Sequence, residues 1–258
     1  MHSTLLNTVE YALPVGDQAI NMKEILGKNL HFEYLGEINC IKCGRKTNKS
    51  FSQGFCYPCF VSAPETEECV LRPELCRAHQ GIARDMTYAE HNCLAEHVVY
   101  LSVTSGLKVG VTRHSQVPTR WIDQGAVKAI ELSRTPNRYI AGLIEVALKD
   151  HMKDKTNWRA MLKNEISFDG DLLEEKERAT SMLSAELAAY RAVEDEITSI
   201  HYPISAYPEK VTSINLDKDP DYTGRLAGIK GQYLIFEDNS VINIRKYGGY
   251  KLRITVSG

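Results

Sequence analysis

The chain has 258 residues, 43% of them hydrophobic, with 31 basic against 33 acidic side chains for a formal charge of -2. This length and apolar content exclude a disordered chain and can fill more than one small core, while the near balance of charge excludes a polycation that would coat nucleic acid indiscriminately. No apolar run approaches the roughly 18 to 20 residues of a membrane span, and MHSTLLNTVEYALPVG lacks the basic start and apolar middle of a secretory signal, so no membrane and a cytoplasmic location are expected.

Residues 1–39 contain alternating stretches such as LHFEYLGEI, read as an N-terminal β segment. Residues 40–97 hold all seven cysteines and few long periodic runs, the pattern of a zinc-binding region in which metal replaces a hydrophobic core. An odd cysteine count with CxxC spacing favours thiolate ligation over disulfides. Cys40 and Cys43 form one pair, Cys56 and Cys59 another, with twelve residues between them. Two such knuckles deliver four thiolates to one Zn²⁺, and a site closed on all four sides serves folding, not catalysis. A second zinc is assigned to Cys69, Cys76, Cys93 and His97, with His79 or His91 as replacements; the rival account is buried thiols and surface histidines.

Residues 98–164 read as strand, turn, strand and helices. Tyr100 falls on the first strand, Gly106 on the turn, Lys108, Val109 and Gly110 on the second strand, and Arg120 and Trp121 on a helical stretch interrupted at Gly125. In the next helix Ile140, Leu143, Ile144, Ala147, Leu148 and Met152 form an apolar stripe, and Glu145 rides on it. Basic residues outnumber acidic ones between Lys108 and Lys163, and Lys42, Arg45, Lys46 and Lys49 form a second basic patch, so a polyanion site would be local. Arg113, Arg134 and Arg138 read as solvated or phosphate-facing.

Residues 165–200 are acidic. From Asp171 onward Leu172, Leu173, Met182, Leu183, Leu187, Tyr190, Val193 and Ile197 recur at three- and four-residue steps, which predicts one long amphipathic helix or two abutting ones. Its expected role is a helical strut, the alternative being a surface for a protein partner. Residues 201–258 turn to short strands, GRLAGIKGQYLIFE and SVINIRKYGGYKLRITV among them, read as a small C-terminal β-barrel-like module.

The order Tyr100, Lys108-Val109-Gly110, Arg120, Glu145 resembles the GIY-YIG endonuclease domain over about 65 residues, a quarter of the chain. The resemblance implies a central α/β domain over residues 98–164. In it Glu145 ligates Mg²⁺ or Mn²⁺, Arg120 grips the scissile phosphate, and Tyr100 assists the water or the proton transfer. Lys108, Arg113 and Arg120 would contact nucleic acid, and Asn157 falls near a position where that family often carries Asn. Two positions depart from the pattern: Lys108 stands where the second Tyr is expected, and Gln124 where a His commonly follows the Arg. Lys replaces a phenol only with a large pKa shift, and Gln cannot act as a base. A purely structural account has Arg120 and Glu145 paired with each other, Tyr100 as a core aromatic, Trp121 as an anchor and Asp123 as a cap or partner of Arg120. The strings RPELCRAH, KVGVTR, PTRWIDQGA, the Arg138 to Glu145 segment and DKTNW together look like the bacterial family named domain of unknown function 2797, across nearly the whole chain.

These readings predict an α+β protein of several domains: N-terminal β segment, zinc-binding region, GIY-YIG-like domain, long helix and C-terminal β module. The function expected is that of a zinc-containing nucleic-acid-binding protein, with DNA or RNA as partner, structural zinc, and Mg²⁺- or Mn²⁺-dependent phosphodiester cleavage. The alternatives are a nucleic-acid-binding protein without catalysis and a zinc-stabilised scaffold that meets a protein partner through residues 171–200.

Overall fold

The computed structural model describes residues 1–149, 151–152 and 156–258; Asp154 and Lys155 of the DKTNW string lie outside the described residues. The chain opens with strands β1 (His2–Thr4), β2 (Glu10–Val15), β3 (Gln18–Asn21), β4 (Asn29–Asn39) and β5 (Lys46–Thr47), then helix α1 (Tyr57–Ser62). A run of 3-10 turns leads to α2 (Met86–Asn92), β6 (His97–Val103), β7 (Leu107–Arg113), α3 (Thr119–Asp123), β8 (Lys128–Thr135) and α4 (Arg138–Lys149). Helices α5 (Trp158–Leu162), α6 (Leu172–Ser181) and α7 (Ala185–Ala188) precede β9 (Thr198–Ser199), and β10 (Thr212–Ser213), β11 (Asp221–Lys230), β12 (Tyr233–Phe236), β13 (Ser240–Asn243) and β14 (Tyr250–Ser257) complete the order. Among the described residues no helix is long and apolar enough to cross a membrane. The mixed α+β character expected from the sequence is present, divided into two units: Met1–Val61 with Leu162–Asn164 and His201–Gly258, and Ser62–Met161 with Glu165–Ile200.

In the first unit Leu30, Phe32 and Ile38 of β4 are buried between more exposed neighbours, the alternation of a strand with one face on a core. That strand does not belong to a separate N-terminal segment. It lies between β11 and β14 in a curled, half-barrel sheet of order β10-β13-β12-β11-β4-β14, with β5 beside it. Phe32 faces Tyr222 on one side and Ile254 on the other, and its ring meets Phe236 edge to face at 6.4 Å. The expected C-terminal module is therefore completed by an N-terminal strand. Pairing partners that far apart leave no mark in the local pattern of either segment.

The second unit is built on the antiparallel sheet β7-β6-β8-β9. All seven residues of β6 are buried, so it is covered on both faces. Val99, Leu101 and Val103 share a core with Val109, Ile130, Leu132, with Ala141, Ile144 and Leu148 of α4, and with Leu172 and Ala179 of α6. Val98, Tyr100 and Ser102 alternate onto the opposite face, paired with Thr112, Gly110 and Lys108.

The stretch from Asp171 to Ile200 is not a strut. Asp171 caps α6, which ends at Ser181, and Ser184 Oγ accepts from Leu187 N at 3.4 Å to start α7. Residues beyond α7 then run along β8, with Arg134 N donating to Tyr190 O and Ala192 N to Leu132 O, both at 2.9 Å, before β9 pairs with it. Lys176, fully buried, ties the reversal by donating to Ala192 O, Glu194 O and Asp195 Oδ1 at 2.7–2.9 Å. The apolar steps, read as one long helix or two abutting ones, form two short helices with Leu183 between them and an extended segment after them, and Leu183, Leu187, Tyr190 and Ile197 pack on the unit's own core.

The pairing of Tyr100 with Gly110 makes a sharp prediction. A Cβ at position 110 would stand 2.6 Å from the Tyr100 hydroxyl and 2.7 Å from Cζ of a fully buried ring. Gly110→Ala is expected to cost about 1–3 kcal/mol through overpacking. Urea unfolding at constant m-value checks it, and an unchanged midpoint would refute the close approach.

Candidate functional site

Tyr100 lies across β7 above Gly110, with its ring edge to face with Trp121 of α3 at 6.0 Å. Its hydroxyl donates to Gln124 Oε1 at 2.9 Å. Arg120, one helical turn before Gln124, lies close enough for its charge to act on the hydroxyl. Burial pushes the Tyr100 pKa up to about 12; the Glu145 carboxylate adds to the rise, while the Arg120 guanidinium and the Gln124 bond oppose it. The phenol is therefore neutral near pH 7. Glu145 projects from α4 with its side chain 12% exposed and pairs with Lys149 at 3.5 Å. Arg120, Gln124 and Glu145 thus all lie within electrostatic reach of the Tyr100 hydroxyl.

Lys108 is buried on the same sheet face as Tyr100, opposite Ser102, whereas Arg113 ends the strand opposite His97. Arg134 is held by Glu131 at 2.6 Å and Glu194 at 3.8 Å. Arg138 departs from the solvated role expected of it. It is 9% exposed, with Nη2 donating to Asn92 O at 3.0 Å, Nη1 3.6 Å from Cys69 Sγ and Nε 3.5 Å from His97 Nε2. Nothing in its local sequence separates it from a surface arginine, because the groups it meets come from residues 69 to 97.

All seven cysteines are free thiols. The sulfurs of Cys40, Cys43, Cys56 and Cys59 lie within 4.8 Å of one another at the end of β4 and could hold a metal ion. Gly44, at φ 72°, lets the first knuckle close, its amide donating to Cys40 O at 2.8 Å. Burial raises the Cys40 pKa, but backbone amides of Cys56, Cys43 and Lys42 aimed at the sulfur outweigh it and bring the thiol down to about 6. Crowding against Cys43 and burial push Cys59 up to about 12, a penalty that a cation shared by the sulfurs would relieve. Donor type and amide support fit zinc.

A second group is formed by Cys69, Cys76 and Cys93, all buried and again within 4.8 Å. Its neighbours Cys69 and Cys93 draw the Cys76 thiol down to about 3, while crowding pushes Cys93 up. His97, expected as the fourth ligand, is not in that group. Its Nδ1 lies 2.8 Å from Ala95 O, and the Arg138 guanidinium spans its Nε2 and the Cys69 sulfur. Burial first, then the Arg138 and Arg113 charges, lower the His97 pKa to about 4. Of the replacements, His79 is exposed and stacks on Tyr139 at 4.4 Å, and His91 is exposed on α2. The three-sulfur group fits a soft or borderline cation as the first one does.

No curated protein and no solved structure matches the chain. The family model described as "Protein of unknown function (DUF2797)" matches residues 27–252, and the chain belongs to that family.

Proposed function

We propose that the protein is a zinc-containing nucleic-acid-binding protein that hydrolyses phosphodiester bonds at the Tyr100–Arg120–Glu145 cluster. The observation that carries this reading is that the charges of Arg120, on α3, and Glu145, on α4, both act on the buried Tyr100 hydroxyl of β6. It matches the order that resembles a GIY-YIG domain. Lys42, Arg45, Lys46 and Lys49, all exposed beside the first cysteine group, offer phosphate contacts of the kind that bind nucleic acid without reading sequence. A groove of about 500 Å³ in the same unit is lined by Asp217, Asp219 and Asp221 together with Lys218 and Lys246, a mixed surface with no basic excess for a polyanion.

The chemistry divides among the side chains. Arg120, half-buried, offers a planar fork to a phosphate and to the charge that develops on it. Tyr100 has no exposed surface, so it acts as a positioning residue, holding Arg120 and Gln124 instead of touching the water as the resemblance implied. Glu145 fits a divalent cation that takes one carboxylate and completes its shell with water and phosphate oxygens. Such a cation supplies a Lewis acid and a water of lowered pKa. That chemistry needs no histidine base at position 124. Lys108, on the Tyr100 face, adds positive charge.

One observation favours a second reading, nucleic-acid binding without cleavage. Gln124 accepts the Tyr100 proton's hydrogen bond where a base would be expected, and Tyr100 itself is too weak an acid to serve near neutrality.

Assays with single-stranded, duplex and branched DNA and RNA in Mg²⁺ or Mn²⁺ separate the two. Cleavage is expected, with Glu145→Ala slowing it at least 100-fold while affinity changes only a few-fold. Binding that falls with salt and never leads to cutting would establish the second reading. Metal analysis of purified protein is expected to find two zinc ions per chain; Cys40→Ser should remove one and lower the melting temperature, and a zinc-free folded protein would overturn the assignment. The raised Tyr100 pKa sets a further test. Between the ordinary tyrosine value of 10.0 and about 12 the folded state binds the extra proton, so stability falls as pH rises through that window. The fall should be visibly shallower in Tyr100→Phe, as read from urea midpoints, and equal slopes would refute it.

A further inference from the structure

The three-sulfur group and helix α4 share a contact that the functional reading does not use. Arg138, the first residue of α4, donates its backbone N–H to Cys93 O at 2.8 Å while its side chain reaches Cys69 Sγ, His97 Nε2 and Asn92 O. One turn on, Gly142 rests directly on the 3-10 turn Pro73–Leu75, between Cys69 and Cys76: a Cβ there would lie 2.2 Å from Glu74 N and 2.4 Å from the Pro73 carbonyl carbon. Tyr139 packs against the cysteine cluster and stacks on His79. Arg138, Gly142 and Glu145 follow one another at four- and three-residue spacing, so they line one stripe of the helix. At about 1.5 Å per residue, Glu145 stands roughly 10 Å along the axis from the cysteine contact. The buried core of the cysteine-bearing turns is small, made of Cys69, Cys76, Cys93, Ala78 and Ala89, with Ala83, Met86, Leu94 and Tyr139 packed against it.

We propose that a zinc ion bound by Cys69, Cys76 and Cys93 is a latch on α4: it fixes the turns beneath Arg138 and Gly142 and thereby sets where Glu145 stands relative to Tyr100 and Arg120. Charge supports the assignment. Three thiolates around a divalent cation carry a net charge of -1, which is costly to bury alone, and the Arg138 guanidinium beside Cys69 supplies the compensating +1. The latch concerns helix placement and stands on contacts alone; only the consequence for cleavage rests on the function proposed above.

The test uses the full chain and follows amide hydrogen exchange of residues 138–149 together with zinc content. Cys76→Ser is expected to lose one zinc and to speed exchange in that helix at least tenfold, leaving β11 to β13 unchanged. Cys43→Ser, altering the other group, should lose one zinc without changing exchange in α4. Should Cys76→Ser not fold, graded chelation of the unmutated protein gives the same readout, with alkylation showing when Cys69, Cys76 and Cys93 are released. Full zinc content in Cys76→Ser, or α4 protection that survives alkylation of all three cysteines, would overturn the latch. Because exchange is the readout, a protein that never cleaves nucleic acid fails the proposed function while leaving this result intact; in a protein that does cleave, release of the latch should lower kcat.

Discussion

The full burial of β6 is the constraint on which the second unit depends. A strand with no exposed residue must be covered on both faces, and its largest polar groups, the Tyr100 hydroxyl and the His97 ring, find partners inside the protein, whereas Ser102 Oγ finds none. The face carrying Val99, Leu101 and Val103 is closed by α4 and α6. The other face must accommodate a tyrosine, which it can do only because Gly110 on the neighbouring strand has no side chain and because α3 brings Gln124 and Arg120 to the hydroxyl. At the start of the strand, the buried His97 ring is closed off by Ala95 O and by Arg138 of α4. Satisfying one strand therefore positions β7, α3 and the first turn of α4.

The two cysteine groups solve a related problem in different ways. Four sulfurs at the end of β4 gather on knuckles whose amides stabilise a thiolate, with Cys43 exposed. The three sulfurs of the second unit are wholly buried, and a guanidinium stands beside one of them. The second group sits in a core of small side chains, where an ion held by the sulfurs would couple metal binding to folding, whereas the first lies beside packed aromatics, Phe51, Tyr57 and Phe60.

At the candidate active site, charge recognition and proton transfer are separable. In the proposed reading Arg120 and Glu145 provide the charges that a phosphodiester and a divalent cation would meet, while Lys108 lies buried opposite Ser102. Neither Tyr100, with a pKa near 12, nor Gln124 provides a base suited to neutral pH. In the proposed reading the phenol is part of the scaffold, a rigid buried donor that orients the groups able to reach substrate.

The local features are legible in the chain itself: the CxxC pairs, the hairpin around Gly106, the apolar stripe of α4 and the mixed α+β character. Spacing of two, three or four residues encodes these because neighbours in the chain are neighbours in space. Only the tertiary structure decided that β4 completes the C-terminal sheet, that the apolar steps after Asp171 break into short helices and a segment pairing with β8, and that Arg138 lies buried at a cysteine group instead of facing solvent. Each depends on partners tens or hundreds of residues away. Periodicity records which side of an element is apolar; it does not record which distant element covers that side, or which buried charge answers which.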